Sequence, residues 1–188
     1  MDPTTLQQAC ASTGHIVEQI ADDQLVLPTP CDRWDVRALL NHVLGTLALG
    51  QALLSDKPSA VAMGPGELPD SDLVGDDPHK AYRLGVEGLL RAAAGDTFDR
   101  VHATPFGDMP GSILGGFTTL DIVVHGWDLA TATGQPAALD DELAETVLAF
   151  AHQAITADTR GSRIGPEIPV SSDASLTDRL VAYLGRRP

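Results

Sequence analysis

Three polar residues stand in an apolar stretch of the chain, Asp121-Ile122-Val123-Val124-His125-Gly126-Trp127-Asp128-Leu129. If the stretch is helical, the spacing i, i+4, i+7 sets Asp121, His125 and Asp128 along one face. Two carboxylates and an imidazole on a buried helix are costly unless their charge and polarity are compensated. A divalent cation is the most economical compensation, because carboxylate and neutral imidazole both ligate such ions at about 2.0–2.2 Å. The competing reading is that Asp121 and His125 hydrogen-bond each other and the backbone. Spacing by itself leaves that choice open.

His42 bears on the choice. It lies among the apolar positions of another helical segment, Arg37-Ala38-Leu39-Leu40-Asn41-His42-Val43-Leu44. A lone histidine in such a place is more often a satisfied core residue than a ligand. Antiparallel packing of the two helices would set it opposite Asp121 and His125. That gives a His/Asp/His triad with positions open to water or substrate, the arrangement of catalytic zinc.

The remaining candidates are weaker. His15 and His152 have no acidic or histidine partner at ligand spacing and read as surface residues. His79, just after a helix-starting proline, and His102, in Val101-His102-Ala103-Thr104, also read as exposed. Cys10 and Cys31 lack CxxC spacing, which argues against a structural zinc cluster, and sequence does not decide whether they pair. Trp127 reads as packing away from the Asp121/His125 face, and Trp34 as an apolar staple onto the second helix. Neither a phosphate loop in its strand–loop–Lys context nor a GxSxG elbow occurs.

The elements that must position these groups are helical. Asp2-Pro3 and Asp77-Pro78 are each a capping side chain followed by proline at the first helical position. They open the first helix, expected to end near Asp22-Asp23, and the third, expected to run to Gly95. Asp35 caps a second helix whose stripe Val36, Leu39, Leu40, Val43, Leu44, Leu47 has period 3.6. Pro28 and Pro30 make residues 24–34 a loop, and 55–77 is a long irregular loop of the length usually functional or mobile. A short extended piece is expected at Arg100–Thr104. A fourth helix, apolar on most sides, runs from about Ser112 to Thr133 and stops at Gly134. Asp140-Asp141 starts a fifth, and a short last helix carries Leu176, Leu180, Val181 and Leu184. No Val/Ile-rich strand run is bounded by turns, so the expectation is an all-α bundle with long linkers, one domain over residues 1–188.

Composition narrows the function classes. The chain has 12 Lys+Arg against 26 Asp+Glu, a formal charge of −14, with no basic stripe. Nucleic-acid binding is therefore not expected. No apolar run approaches the roughly 18–20 residues of a membrane span, and the start Met1-Asp2-Pro3-Thr4-Thr5 lacks the basic and apolar regions of a secretory signal. A cytoplasmic location is expected. Arg outnumbers Lys ten to two and Asp outnumbers Glu twenty to six, a bias that fits a GC-rich bacterial genome.

Three segments together resemble a known family: Trp34-Asp35-Val36-Arg37-Ala38-Leu39-Leu40-Asn41-His42-Val43, Asp121 to Gly134 with its His125-Gly126-Trp127-Asp128-Leu129-Ala130, and Asp178 to Pro188. The resemblance is to actinobacterial metal-binding proteins of the DinB-like superfamily, on the branch of the mycothiol-dependent maleylpyruvate isomerase N-terminal domain. It implies a four-helix-bundle core holding a divalent metal, usually zinc. It implies as ligands His42 on the second helix and Asp121 with His125 on the fourth. Asp128 is then expected to orient a ligand rather than to be one. The isomerase relatives carry glutamate at the position of Asp121 and a C-terminal domain that contributes to the active site. The expectation is accordingly metal binding without maleylpyruvate isomerisation.

The function this implies is a thiol-dependent transferase or isomerase in which the metal activates a thiol, mycothiol in the family, toward a small electrophile. Metal-dependent hydrolysis or lyase chemistry is the alternative, and a non-catalytic metal-binding stress or interaction protein a third. Apolar outer helix faces make a homodimer an expected partner state.

Overall fold

The computed structural model describes residues 1–188 except 60, 65, 106, 158, 159 and 161–163. Six α-helices occur among the described residues: α1 (Pro3–Val17), α2 (Val36–Leu54), α3 (Pro78–Ala92), α4 (Gly111–Thr133), α5 (Asp141–Ala154) and α6 (Leu176–Tyr183). The chain divides into two compact units, Met1–Pro136 and Ala137–Pro188. The first holds α1–α4, and the fold is all-α of the DinB-like kind.

Local chemistry starts the helices. Asp2 accepts from the Thr5 amide, Asp35 from Ala38, Asp77 from Lys80, Asp140 from Glu142 and Leu143, and Ser175 from Asp178. Each side chain satisfies a backbone N–H that the first helical turn leaves without a partner. At the far end of α4, Gly134 takes φ +71°, a left-handed cap that glycine adopts without a Cβ penalty.

In the first unit α4 packs on both α1 and α2, and α3 packs on α2 and α1. α4 is buried on nearly every side, through Leu120, Ile122, Val123, Val124, Trp127, Leu129 and Ala130. Burial all round is what its sequence, apolar on most faces, requires. Close approach of α1 depends on Gly126, where a Cβ would lie 2.4 Å from Thr13 Oγ1. That hydroxyl donates to the Ile122 carbonyl at 3.0 Å, a tertiary bond between the two helices.

Three local expectations need correction. α1 stops at Val17, five residues short of Asp22-Asp23, and a 3₁₀ turn follows at Asp22–Gln24. Side chains take over there: Gln135 Nε2 donates to the Ile16 carbonyl and His79 Nε2 to that of Ile20, both at 3.1 Å. His79 is thus half-buried rather than exposed. α3 ends at Ala92, before Gly95. The extended piece at Arg100–Thr104 has a partner that the sequence reading did not anticipate. β1 (Val101–Thr104) pairs antiparallel with β2 (Gly107–Pro110), from Val101↔Pro110 to Thr104↔Gly107. β2 was hidden by its content of Gly, Asp and Pro, all poor strand formers.

In the second unit α5 packs on α6. Tyr183 donates through its hydroxyl to the Ile155 carbonyl, and the Arg160 guanidinium lies 4.5 Å from the centre of the Tyr183 ring. Among the described residues no helix is long and apolar enough to cross a membrane.

Candidate metal centre

α2 and α4 bring His42, Asp121 and His125 together. Their donor atoms all lie within 4.8 Å of one another. Nε2 of His42 is 3.3 Å from Asp121 Oδ2, and Nε2 of His125 is 3.5 Å from Asp121 Oδ1. The two imidazoles meet edge to face with their centres 4.9 Å apart. His42 is 1% exposed, whereas the Asp121 side chain keeps 29% of its surface in contact with solvent. The cluster therefore has a floor of histidine and one open side.

What the rings do with their other nitrogens decides what the cluster can bind. Nδ1 of His42 lies 2.6 Å from the Glu67 carbonyl, which can only accept, so Nδ1 carries the hydrogen. Nδ1 of His125 is 2.9 Å from Asp128 Oδ2 and donates to that carboxylate. In a neutral ring this leaves the lone pair on Nε2, and both Nε2 atoms face Asp121. Thr46 takes up part of the carboxylate by donating to Oδ2 at 2.7 Å. Two nitrogen lone pairs and a carboxylate then converge on one point, which only positive charge makes favourable. The donor set, two imidazoles and one carboxylate, fits a divalent cation of the zinc type.

Electrostatics within the cluster point the same way. Burial pushes the Asp121 carboxyl up, but the charges of His125 and His42 outweigh it and hold the group well below the usual carboxylate range. Burial pushes His125 down, and Asp121, with the hydrogen bonds His125 shares with Asp128 and Cys31 also contributing, carries it well above the ordinary imidazole value. A proton on His125 thus occupies the electrostatic role that a cation would otherwise fill.

Asp128 sits where a positioning residue belongs. It is fully buried and holds the His125 ring by Nδ1. Trp127 is buried in the core. Trp34 lies over the site, its ring centre 4.8 Å from that of His42 and 6.3 Å from that of His125, so it walls the histidines rather than serving only as a helix staple.

Several participants were not visible in the residue spacing. The loop before α2 closes on itself through the Pro28↔Asp35 bridge. Within it Thr29 Oγ1 accepts from Cys31 N at 3.1 Å and donates to the Trp34 carbonyl at 2.8 Å. This turn delivers Cys31 to the cluster, with Sγ 3.3 Å from Asp128 Oδ2. Cys10 and Cys31 are not joined in a disulfide. The 55–77 loop supplies Glu67 and is fastened to one face of α2. Asn41 donates to Ser71 O at 3.1 Å and accepts from Leu73 N at 2.7 Å, while Arg37 reaches Asp72 at 2.7 Å. Thr46, four residues after His42, is the one participant that helical periodicity could have found. His102, expected on an exposed loop, is instead fully buried, between Asp56 Oδ1 and the Thr97 carbonyl, each 2.8 Å away. His15 and His152 are exposed.

Residues 6–130, which include His42, Asp121, His125 and Asp128, match the family model of the mycothiol maleylpyruvate isomerase N-terminal domain. Two curated relatives, uncharacterized proteins of Mycobacterium tuberculosis strains CDC 1551 and H37Rv, are each 32% identical over 99% of this chain and 98% of their own length. No solved structure matches the chain significantly. The resemblance to actinobacterial proteins agrees with these mycobacterial relatives, and the chain belongs to the mycothiol maleylpyruvate isomerase N-terminal domain family.

Proposed function

We propose that the chain binds a divalent cation, zinc in the first instance, through His42, Asp121 and His125. With it the protein acts as a thiol-dependent transferase or isomerase on a small electrophile. The observation that carries this reading is the tautomer arrangement. The Glu67 carbonyl and the Asp128 carboxylate each take an Nδ1 hydrogen, so that both Nε2 lone pairs are aimed at one carboxylate. The chemistry a cation supplies when bound there is stabilisation of a thiolate over its thiol, and the family name points to mycothiol as that thiol.

The chain's own residues prepare the place. Asp128 and the Glu67 carbonyl fix the rotation of the two rings, and Thr46 fixes the carboxylate. Trp34 excludes water from one side of the histidines. The exposed edge of Asp121 leaves the access that a small molecule needs.

The test is calorimetric titration of mycothiol into zinc-loaded protein, followed by conjugation with a generic electrophile, beside His42→Ala and His125→Ala. Thiol binding that appears only with metal and is lost in both variants supports the reading. Metal-loaded protein that gives no heat with the thiol removes the thiol step. Turnover of a hydrolase or lyase substrate without thiol would replace it with the other metal-dependent chemistry.

A further inference from the structure

The geometry points to a second cation position on the opposite edge of the His125 ring, formed by Cys31, Asp128 and Nδ1 of His125, which takes a thiophilic divalent ion. Cys31 Sγ lies 3.8 Å from His125 Nδ1 and 3.3 Å from Asp128 Oδ2, and that oxygen is 2.9 Å from Nδ1. Around a tetrahedral ion with a sulfur bond of about 2.3 Å and nitrogen or oxygen bonds of about 2.0–2.2 Å, donors stand roughly 3.3–3.6 Å apart. The two sulfur edges already match that triangle to within a few tenths of an ångström. The nitrogen–oxygen edge is short because a proton now bridges it, and it opens when an ion replaces the proton. Asp128 is fully buried while Cys31 is half-buried, so the position is approached from the cysteine side.

The donor sets differ in kind. His42, Asp121 and His125 offer two nitrogens and an oxygen, whereas Cys31, His125 and Asp128 offer sulfur, nitrogen and oxygen. A thiolate favours softer ions such as cadmium over harder ones. Cys10 offers no competing thiolate: burial pushes its thiol up to about 12.

The two positions exclude each other as long as the shared imidazole keeps one hydrogen, because a neutral ring offers a single nitrogen lone pair. With the hydrogen on Nδ1, the lone pair of Nε2 serves the His42/Asp121 side. When an ion takes Nδ1 of the protonated ring, the hydrogen there leaves to solvent, Nε2 keeps its own and donates toward Asp121, and the Cys31 thiol proton leaves as well. One ion is held, at either position but not at both: the first position releases the one extra His125 proton, and the second releases a ring proton and the Cys31 thiol proton. A thiophilic ion is thus a built-in antagonist of the first position. None of this depends on the thiol chemistry proposed above.

The test titrates cadmium into the full chain after removal of metal by a chelator, reading the near-ultraviolet thiolate-to-cadmium charge-transfer band. The band is expected to saturate at one equivalent in the wild type, in Cys10→Ser and in His42→Ala, and to fall to baseline in Cys31→Ser. Circular dichroism establishes that each variant is helical, and Asp121→Asn replaces His42→Ala if the latter does not fold. Three outcomes overturn the proposal. One is a wild type without the band, and another is a band that persists in Cys31→Ser. The third is a folded His42→Ala or Asp121→Asn without it, which would make Cys31 an extra ligand of the first position. Two equivalents bound together would overturn mutual exclusion.

Discussion

His42 and His102 are both buried in the first unit, and each faces a carboxylate, yet their nitrogens are used differently. His102 has Asp56 on one nitrogen and the Thr97 carbonyl on the other, both at 2.8 Å, so both nitrogens are engaged and the ring is spent on holding structure. His42 commits only Nδ1 to a carbonyl and turns Nε2 toward Asp121, where His125 does the same. The backbone partners differ in origin too. Thr97 lies five residues from His102, whereas Glu67 reaches His42 from a long loop fastened to α2. A buried histidine beside an acid is therefore not by itself a ligand. What marks one is a second nitrogen whose lone pair remains unspent and has company.

The strongest way to break this comparison is to remove each ring in turn. His42→Ala is expected to weaken zinc binding by more than the roughly 10–100-fold that a merely supporting residue is worth, whereas His102→Ala should leave it nearly unchanged. Calorimetric titration of both variants, made in a Cys31→Ser background that lacks the thiolate position, decides it. In urea denaturation His102→Ala should show the converse, losing about 3 kcal/mol because the buried Thr97 carbonyl loses its partner and the ring leaves a cavity. Equal loss of zinc affinity in the two variants would erase the distinction.

A smaller effect sharpens it. Asp128→Asn keeps the shape but no longer holds the His125 tautomer by charge, so zinc affinity should fall about 10–100-fold while the helical signal is retained. Unchanged affinity would remove Asp128 from the account.

The two regions should also answer differently to pH. In cation-free protein His125 is raised above its ordinary 6.5, so its pairing is fully stabilising below that value and is lost as pH rises through the raised one. Asp121 is depressed below its ordinary 3.8; its contribution is present above that value and disappears as pH falls through the lowered one. Zinc must displace the His125 proton, so affinity should climb with pH over the range in which cation-free stability declines. Asp56 is lowered first by its hydrogen bond with His102, and its contribution is lost only in acid, below 3.8. Thermal melts across pH, with and without zinc, read all of these. A zinc affinity that falls between pH 6 and 8 would contradict the sign.

Much of this architecture could be read before any coordinates, because its causes are local. Asp2, Asp35, Asp77 and Asp140 each cap the helix that they announce, and α4 is buried all round as its apolar faces demand. The Asp121–His125–Asp128 face follows from helical period alone. What stayed hidden is non-local. Any residue type has a carbonyl, so nothing about Glu67 or Thr97 marks it as a histidine's acceptor. Cys31 reaches Asp128 through the geometry of one closed loop, at no periodic spacing. His102 was misjudged because its partners are Asp56, 46 residues away, and a backbone carbonyl, and its strand β1 pairs with Gly107-Asp108-Met109-Pro110, which carries no strand signal.

The central claim is that two helices remote in sequence aim two imidazoles and one carboxylate at a common ion. Its most direct test is zinc titration of chelator-stripped Cys31→Ser protein, which lacks the thiolate position, beside Cys31→Ser/Asp121→Ala, with bound metal counted by elemental analysis after dialysis. One zinc per chain in Cys31→Ser and none in a folded Cys31→Ser/Asp121→Ala is the expected result. A Cys31→Ser that retains no zinc, or a Cys31→Ser/Asp121→Ala that retains it fully, would contradict the claim.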